Sequence, residues 1–188
     1  MPITVRRFLV VALATLALAA DAGAATLLFV DVPGIPGDST FEVAANLIPA
    51  ISYGFGVSPL KPSKYGTAGV CGPGTSKAVF SEFCVKKHID VASPKLLVAA
   101  AAATQFPAVT VSLFRDSPVP GDPPLARYVL ANAVVSSLHA DADTTADAPT
   151  EQVCFKFNRV QLTTTRTNLG GGFSSTTAGF DACQTSAF

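Results

Sequence analysis

The chain has 188 residues, with 13 basic and 13 acidic side chains and a formal net charge of zero. It has no excess and no cluster of Lys and Arg, so the sequence gives no electrostatic support for nucleic-acid binding. Hydrophobic residues make up 49% of the chain, and its length suits one domain with a substantial core.

Residues 1–24 predict a secretory signal peptide. Arg6-Arg7 form a positive region, and a run of thirteen almost wholly apolar residues, FLVVALATLALAA, follows them. Ala22-Gly23-Ala24 fits the small-residue cleavage pattern. Thirteen residues are too few for a membrane-spanning helix, which needs about twenty. We therefore expect an exported chain, secreted or periplasmic, whose mature domain covers residues 25–188 and keeps no membrane anchor.

Most of the mature chain predicts β-strands, because apolar and polar residues alternate with a period of two. The segment 125–139 is apolar on both faces, which predicts a long buried strand that is bent or bulged. In the last strong strand the apolar parity changes between Phe157 and Val160, which predicts a bulge near Asn158 or Arg159. The predicted strands cover 25–32, 51–57, 79–91, 107–116, 125–139 and 151–165.

Three segments predict loops or a tail. Residues 58–76 form a long loop rich in Gly, Pro, Ser and Lys, and loops of this length are usually functional or disordered. Residues 140–150 are acidic but lack the glycine and terminal glutamate of a calcium-binding loop, so we predict a solvated hairpin loop. Residues 166–188 are a Gly-, Ser- and Thr-rich tail with little core-forming content.

One strand is predicted to lead directly into a helix. Its apolar face comprises Val79, Phe83, Val85, Ile89 and Val91, and Lys87 is the exception on that face.

Ser93 is a suitable N-cap for this helix, and Pro94 suits its first position. We predict a helix of about ten residues that ends before Pro107, because proline disfavours the α region for the preceding residue. A helix this short is marginal alone in water, so Leu96 and Leu97 are expected to dock it on a sheet.

Four cysteines, Cys71, Cys84, Cys154 and Cys183, favour disulfides in an exported protein. Three pairings are possible, and the sequence cannot choose among them. We favour Cys71–Cys84 and Cys154–Cys183. A zinc site is disfavoured, because no C-x2-C spacing occurs and neither histidine has a zinc-site spacing with a cysteine pair.

The sequence shows no enzyme signature. No nucleophile elbow, phosphate-binding loop, dinucleotide fingerprint or metalloprotease motif is present. Any Ser-His-Asp triad would need His88 or His139, and both positions read as ordinary surface residues. We therefore assign no catalytic, cofactor-binding or metal-binding residues and expect no cofactor.

The order of several short segments resembles the Hcp family, the haemolysin-coregulated proteins that form the tube of type VI secretion systems. The matching segments are FVDVPGIPGDST (29–40), ISYGFGV (51–57), FCVKKHIDVASPKL (83–96), the strand 128–137, the strand 151–160 and Gly179-Phe180-Asp181. Their order and spacing together are more specific than any one of them.

The resemblance implies a mainly β fold, an Hcp-like β-barrel of two packed antiparallel sheets with one short α-helix on its side. It also implies hexameric rings that stack into a tube, with the long loop joining stacked rings, and no catalytic residues. The signal peptide and the four cysteines depart from the family pattern.

Our leading hypothesis is an exported Hcp-like structural protein that binds copies of itself, with secretion-system components or effectors as further candidate partners. The alternatives are a secreted monomeric binding or adhesion module on the same fold and a secreted effector.

Overall fold

The computed structural model describes residues 26–59, 78–142, 148–184 and 186–188. Within these ranges the chain forms twelve strands, one α-helix and one short 3-10 turn at Glu42–Ala44. The helix α1 is Ser93–Ala101, and the strands are β1 (Thr26–Asp31), β2 (Ile48–Ala50), β3 (Ser52–Gly54), β4 (Val57–Pro59), β5 (Ala78–Phe80), β6 (Phe83–His88), β7 (Gln105–Arg115), β8 (Ala126–Asp141), β9 (Thr150–Lys156), β10 (Arg159–Thr167), β11 (Phe173–Asp181) and β12 (Ser186–Ala187).

Ten of these strands form one antiparallel sheet, and β4 and β5 pair separately. The pairings run from β2 through β1, β7, β8, β9 and β6 to β3. Only Ile51 separates β3 from β2, and its N–H donates to the Lys86 carbonyl at 2.7 Å. The predicted mainly β, antiparallel fold with a helix on its side is confirmed. The two expected sheets are continuous through β8, and the described strands do not pair into a closed barrel.

The long strand β8 is bent and bulged, as its apolar pattern predicted. Its first half pairs with β10 and its second half with β9. Asn132, between the halves, has a φ of 52°, and the pairing register shifts between Val135 and Ser137. One strand can therefore belong to both parts of the curled sheet.

The chain opposite this bend is interrupted at Phe157 and Asn158. Asn158 N–H donates to the Ala131 carbonyl at 3.2 Å, and the next strand begins one residue later. Phe157 and Val160 are both buried although three positions separate them. The predicted irregularity near Asn158 is confirmed, and it follows the bend of β8.

The main core lies inside the curled sheet. At one end α1 covers it with Leu96 and Ala99, which are 1% and 4% exposed. Aromatic rings fill the other end, where Tyr53 stacks on Phe83 at 5.2 Å between ring centroids and Phe80 stacks on Phe157 at 5.5 Å. The helix and the aromatic rings therefore cover the core at opposite ends of β6.

The helix differs from its prediction at both ends. It begins at Ser93 and has nine residues. It ends because Ala103 adopts a φ of 49°, and Pro107 lies inside β7 rather than at a helix boundary. Leu96 docks on the core as predicted, whereas Leu97 is exposed.

The segment predicted as one strand over 51–57 contains the short strand β3 and only the first residue of β4. Tyr53 and Phe55 pack against the core, but Ile51 and Val57 are exposed, so the expected bulky face is interrupted. The bare side predicted for Gly54 is present, since no atom lies within 4 Å of a Cβ built there.

The C-terminal segment has more structure than its composition indicated. Residues 166–188 complete β10 and supply β11 and β12, and Phe188 packs under the Arg159 guanidinium at 3.9 Å. Paired Thr and Ser hydroxyls join the two long strands, including Thr163 and Thr177 at 2.9 Å. Cross-strand hydroxyl pairs stabilise a hairpin that has almost no apolar core.

No helix in the described part of the chain is both long and apolar enough to cross a bilayer.

A second small core lies on the outer face of β1, where Phe29, Ala44 and Phe114 pack together. The loop that covers it passes very close to itself at Gly37. A Cβ at Gly37 would overlap the backbone of Leu47 and Ile48, which is why the motif IPGDS has glycine here.

Gly37→Ala is expected to destabilise the fold by about 1–3 kcal/mol, because backbone atoms must move to admit the methyl group. Chemical denaturation measures this change. Gly170→Ala is the matched control, since its Cβ would meet open space at an ordinary φ. Equal stability of both variants would contradict the close-approach explanation.

Candidate functional site

The inner faces of β6 and β9 meet in three matched pairs. Phe83 faces Phe155, Val85 faces Val153, and Lys87 faces Glu151. All six side chains are buried. Lys87, the apparent exception on an apolar face, therefore belongs to that face and has a charged partner directly across the ladder.

The Lys87 ammonium lies at the centre of a buried ion cluster. Its Nζ is 2.7 Å from Glu151 Oε1, 2.8 Å from Asp90 Oδ1 and 2.7 Å from the His88 carbonyl oxygen. The Lys87 and Glu151 side chains are only 1% and 2% exposed. Ser93 Oγ is a fourth acceptor at 3.2 Å, and these hydrogen bonds offset part of the cost of burying the charge.

The same cluster fixes the start of α1. Ser93 Oγ accepts the Asp90 N–H at 3.0 Å and donates to Glu151 Oε1 at 2.8 Å. Asp90 Oδ1 accepts the Ala92 N–H at 2.9 Å. Ser93 was predicted as the N-cap, but Ala92 holds that position and Ser93 is the first helical residue. Its hydroxyl group instead connects the helix to the sheet through the hydrogen bond to Glu151.

One oxygen of the cluster, Asp90 Oδ2, is buried without a hydrogen-bond partner among the described residues. The two carboxyl groups lie at the N-terminal end of α1, where the helix dipole favours negative charge.

An apolar patch lies on the turn before α1 and on the helix itself. Ile89, Val91, Leu97 and Val98 are 45%, 63%, 57% and 65% exposed. We call these four residues the helix patch. Ile89 and Val91 were expected on the buried face of the strand, but the strand ends at His88 and they do not continue that face. Leu97 was expected to dock the helix on the sheet, but it lies on an exposed side of α1. Exposed apolar patches often mark interaction surfaces.

A second candidate surface is the outer edge of β11. From Phe173 to Ala178 that edge pairs with no strand among the described residues, because β12 covers only Phe180 and Asp181. Its sequence, FSSTTA, has no proline and no charge. Monomeric proteins usually protect such an edge, so an unprotected one indicates that another strand can pair with it.

The favoured cysteine pairing is wrong. Cys84 and Cys154 occupy directly facing positions on β6 and β9, with 4.0 Å between their Cα atoms, and they form a disulfide. The cysteine pairing follows from the register between β6 and β9, and the spacing of the cysteines along the chain does not reveal that register. Cys183 is also disulfide-bonded. Cys71 lies outside the described residues.

The two histidines are exposed and occupy separate strands. His88 faces Thr150 across one ladder, and His139 faces Gln152 across another. Within the described residues one set of potential metal ligands approaches closely, namely Glu82, Cys84 and Cys154. No catalytic arrangement was predicted for these residues, and that expectation stays a prediction.

Two phenols meet at the aromatic end of the core. The Tyr53 and Tyr128 hydroxyls are 3.2 Å apart. Burial, with the Tyr53 hydrogen bond as a smaller contribution, raises the pKa of Tyr128 from 10.0 to about 12.

Comparison with known proteins identifies the family. The model of the family "Type VI secretion system effector, Hcp" matches residues 29–163, which is most of the chain and includes the ion cluster. The protein therefore belongs to the Hcp family of the type VI secretion system. A search of curated proteins found no match.

Solved structures share the fold. The crystal structure of Hcp1 from Salmonella typhimurium has a TM-score of 0.71 and 20% identity, and covers 87% of this chain and 99% of its own. A structure described as a type six secretion system protein has a TM-score of 0.71 and 22% identity, covering 87% and 100%. A type VI secretion system effector from Yersinia pestis has a TM-score of 0.63 and 19% identity, covering 82% and 98%.

Lys87→Met is expected to destabilise the protein by about 3–5 kcal/mol, because it leaves two carboxyl groups buried without their cation. Adding Glu151→Leu should cost much less than the sum of the single changes, since the double variant leaves fewer unpaired charges. Denaturant unfolding of the four proteins measures the coupling. Lys156→Met, which removes an exposed ion pair with Glu82, is the control and should cost less than about 1 kcal/mol. Additive changes in the free energy of unfolding at positions 87 and 151 would contradict the energetic coupling expected for the ion cluster.

The raised Tyr128 pKa predicts a loss of stability in alkaline solution. The unfolded chain releases the phenolic proton near its ordinary pKa of 10.0, whereas the folded chain holds it to about 12. Unfolding is therefore favoured progressively as the pH rises through that interval. Tyr128→Phe should show a shallower decline of the denaturation midpoint between these values than wild type. Parallel curves would show that Tyr128 ionises normally.

Proposed function

We propose that the protein is a structural subunit of the type VI secretion tube that binds copies of itself, forming hexameric rings that stack. The observation that carries this proposal is the Hcp family match over residues 29–163. The shared fold with Hcp1 supports it. The role is mechanical, and it needs matched surfaces rather than a reactive side chain.

The two candidate surfaces suit a head-to-tail ring. In such a ring each subunit offers one surface to the neighbour ahead and a different one to the neighbour behind. The helix patch is apolar, and the outer edge of β11 offers unpaired backbone groups. These surfaces belong to different elements, so one subunit can use both at once.

We further propose that the chain is exported as a single domain over residues 25–188 and works in the periplasm or outside the cell. The signal-peptide pattern in residues 1–24 supports this, although those residues lie outside the described part of the chain. The Cys84–Cys154 disulfide also supports it, because structural disulfides persist in oxidising compartments.

A second candidate function is a secreted monomeric binding module on the Hcp fold, or a secreted effector. The same disulfide favours it, since a tube built in the reducing cytoplasm has no use for one. In that case the helix patch would contact a different protein.

Light scattering of the purified full protein after export distinguishes the two functions. A ring gives six times the subunit mass. Val98→Asp places a charge on the helix patch. We expect the protein concentration at which half of the subunits assemble to rise at least about tenfold, because an interface contact worth more than about 1 kcal/mol is lost. Val119→Asp is the matched control, because Val119 is 61% exposed and lies away from α1. A monomer at all concentrations would contradict the ring.

Intact mass measurement tests the export step separately. The exported chain should have the mass of residues 25–188, with a small correction for oxidised cysteines. Ala22→Arg and Ala24→Arg together should block cleavage, because the peptidase requires small residues there. A full-length chain recovered from the cytoplasm alone would contradict export and leave ring assembly as a separate question.

A further inference from the structure

The outer face of the β6–β9 pair carries three side chains that suit a metal ion. The Cys84 and Cys154 sulfurs and one Glu82 carboxylate oxygen all lie within 4.8 Å of one another. The ladder explains why they converge: Glu82 and Cys84 are two positions apart and share a face, and Cys154 faces Cys84 directly. Sheet pairing holds the two cysteines, and Glu82 lies directly before the first residue of β6.

We propose that reduction of the Cys84–Cys154 disulfide converts this face into a Zn²⁺ site held by Cys84, Cys154 and Glu82. A dithiol reductant supplies two electrons and two protons, the S–S bond breaks to two thiols, and the reductant becomes its own disulfide. Zn²⁺ then binds the two sulfurs as thiolates, and two protons are released.

The distances suit tetrahedral zinc. Zn–S bonds of about 2.3 Å and Zn–O bonds of about 2.0 Å require roughly 3.8 Å between the sulfurs and roughly 3.5 Å from sulfur to oxygen. Opening the S–S bond separates the sulfurs toward that distance while the Cα atoms stay 4.0 Å apart. A small rotation of Glu82 supplies the oxygen.

The fourth coordination position of the zinc ion has two candidate ligands. Gln152 Nε2 is 3.6 Å from Cys154 Sγ, and rotating the amide by half a turn would present its oxygen instead. Otherwise a water molecule completes the coordination, since the Glu82 side chain is 37% exposed.

An approaching ion and reductant can reach this face through Glu82, which is 37% exposed, and the half-buried Cys84, whereas Cys154 is only 4% exposed. Gly54 lies beside Cys84 on the neighbouring strand, and nothing lies within 4 Å of where its Cβ would be. Lys156, 3.4 Å from Glu82, is 55% exposed and can move away when a cation replaces it. The protein would thus carry zinc under reducing conditions and a disulfide under oxidising ones.

Titration of the full protein with Co²⁺, a spectroscopic substitute for Zn²⁺, tests the site. The reduced protein should bind one Co²⁺ at this site with a thiolate-to-cobalt absorption band, and excess Zn²⁺ should remove the band. The oxidised protein should show no such band. Absence of the band in the reduced protein, or an equal band in the oxidised one, would overturn the proposal.

Variants assign the ligands. Cys154→Ser should abolish the band, and Glu82→Gln should weaken Zn²⁺ binding about tenfold, equivalent to about 1.4 kcal/mol. Cys183→Ser is the control and should retain the band. Loss of the band in Cys183→Ser with retention in Cys154→Ser would assign the metal to other thiols and overturn the proposal.

A measurement on the wild-type chain avoids any folding defect in the variants. Zn²⁺ should slow alkylation of Cys84 and Cys154 in the reduced protein at least about tenfold, because metal-bound thiolates react more slowly, and mass spectrometry locates the modified residues. Unchanged alkylation of both cysteines would contradict the site.

Discussion

The ion pair between Lys87 and Glu151 links the parts of this fold that local forces alone would not hold together. A nine-residue helix is marginal in water, and the strand before it buries the charge of Lys87 on its inner face. The pairing of Lys87 with Glu151 across the ladder compensates the buried charge and helps to hold the helix. Glu151 neutralises Lys87, and Ser93 and Asp90 connect the same charges to the first turn of α1. The helix then covers one end of the core with Leu96.

Alternation along the chain was enough to predict most of the long strands, and the parity change before Val160 was enough to predict the interruption near Asn158, because both follow from which face each side chain takes. The pattern could not identify the buried partner of Lys87 or that of Cys84. Both partners come from β9, more than sixty residues later, and depend on the register between strands. Strand β11 was missed because hydroxyl pairs, rather than apolar burial, join it to β10.

The candidate surfaces also show what the sequence pattern alone could not predict. The apolar character of Ile89 and Val91 was visible in the sequence, but their exposure was not, because the strand was expected to continue to residue 91. Family membership and fold now agree with the resemblance in segments such as 83–96. The sequence predicts an export signal, and the structure has a disulfide on the outer face of the sheet. Both support the proposal that the protein works in an oxidising compartment, and the zinc proposal makes the disulfide a reversible state of the same surface.

Native-state hydrogen exchange on α1 tests the central claim, that the buried ion cluster holds the helix on the sheet. Leu96 N–H, bonded to the Ala92 carbonyl at 2.9 Å, is the amide to follow, with Val109 on β7 as the internal reference. In wild type both amides should exchange only with global unfolding. In Glu151→Gln, which keeps the shape of the side chain and removes its charge, Leu96 should exchange through local opening, faster than Val109. Equal protection of the two amides in the variant would show that apolar contacts alone hold the helix, and would contradict the account.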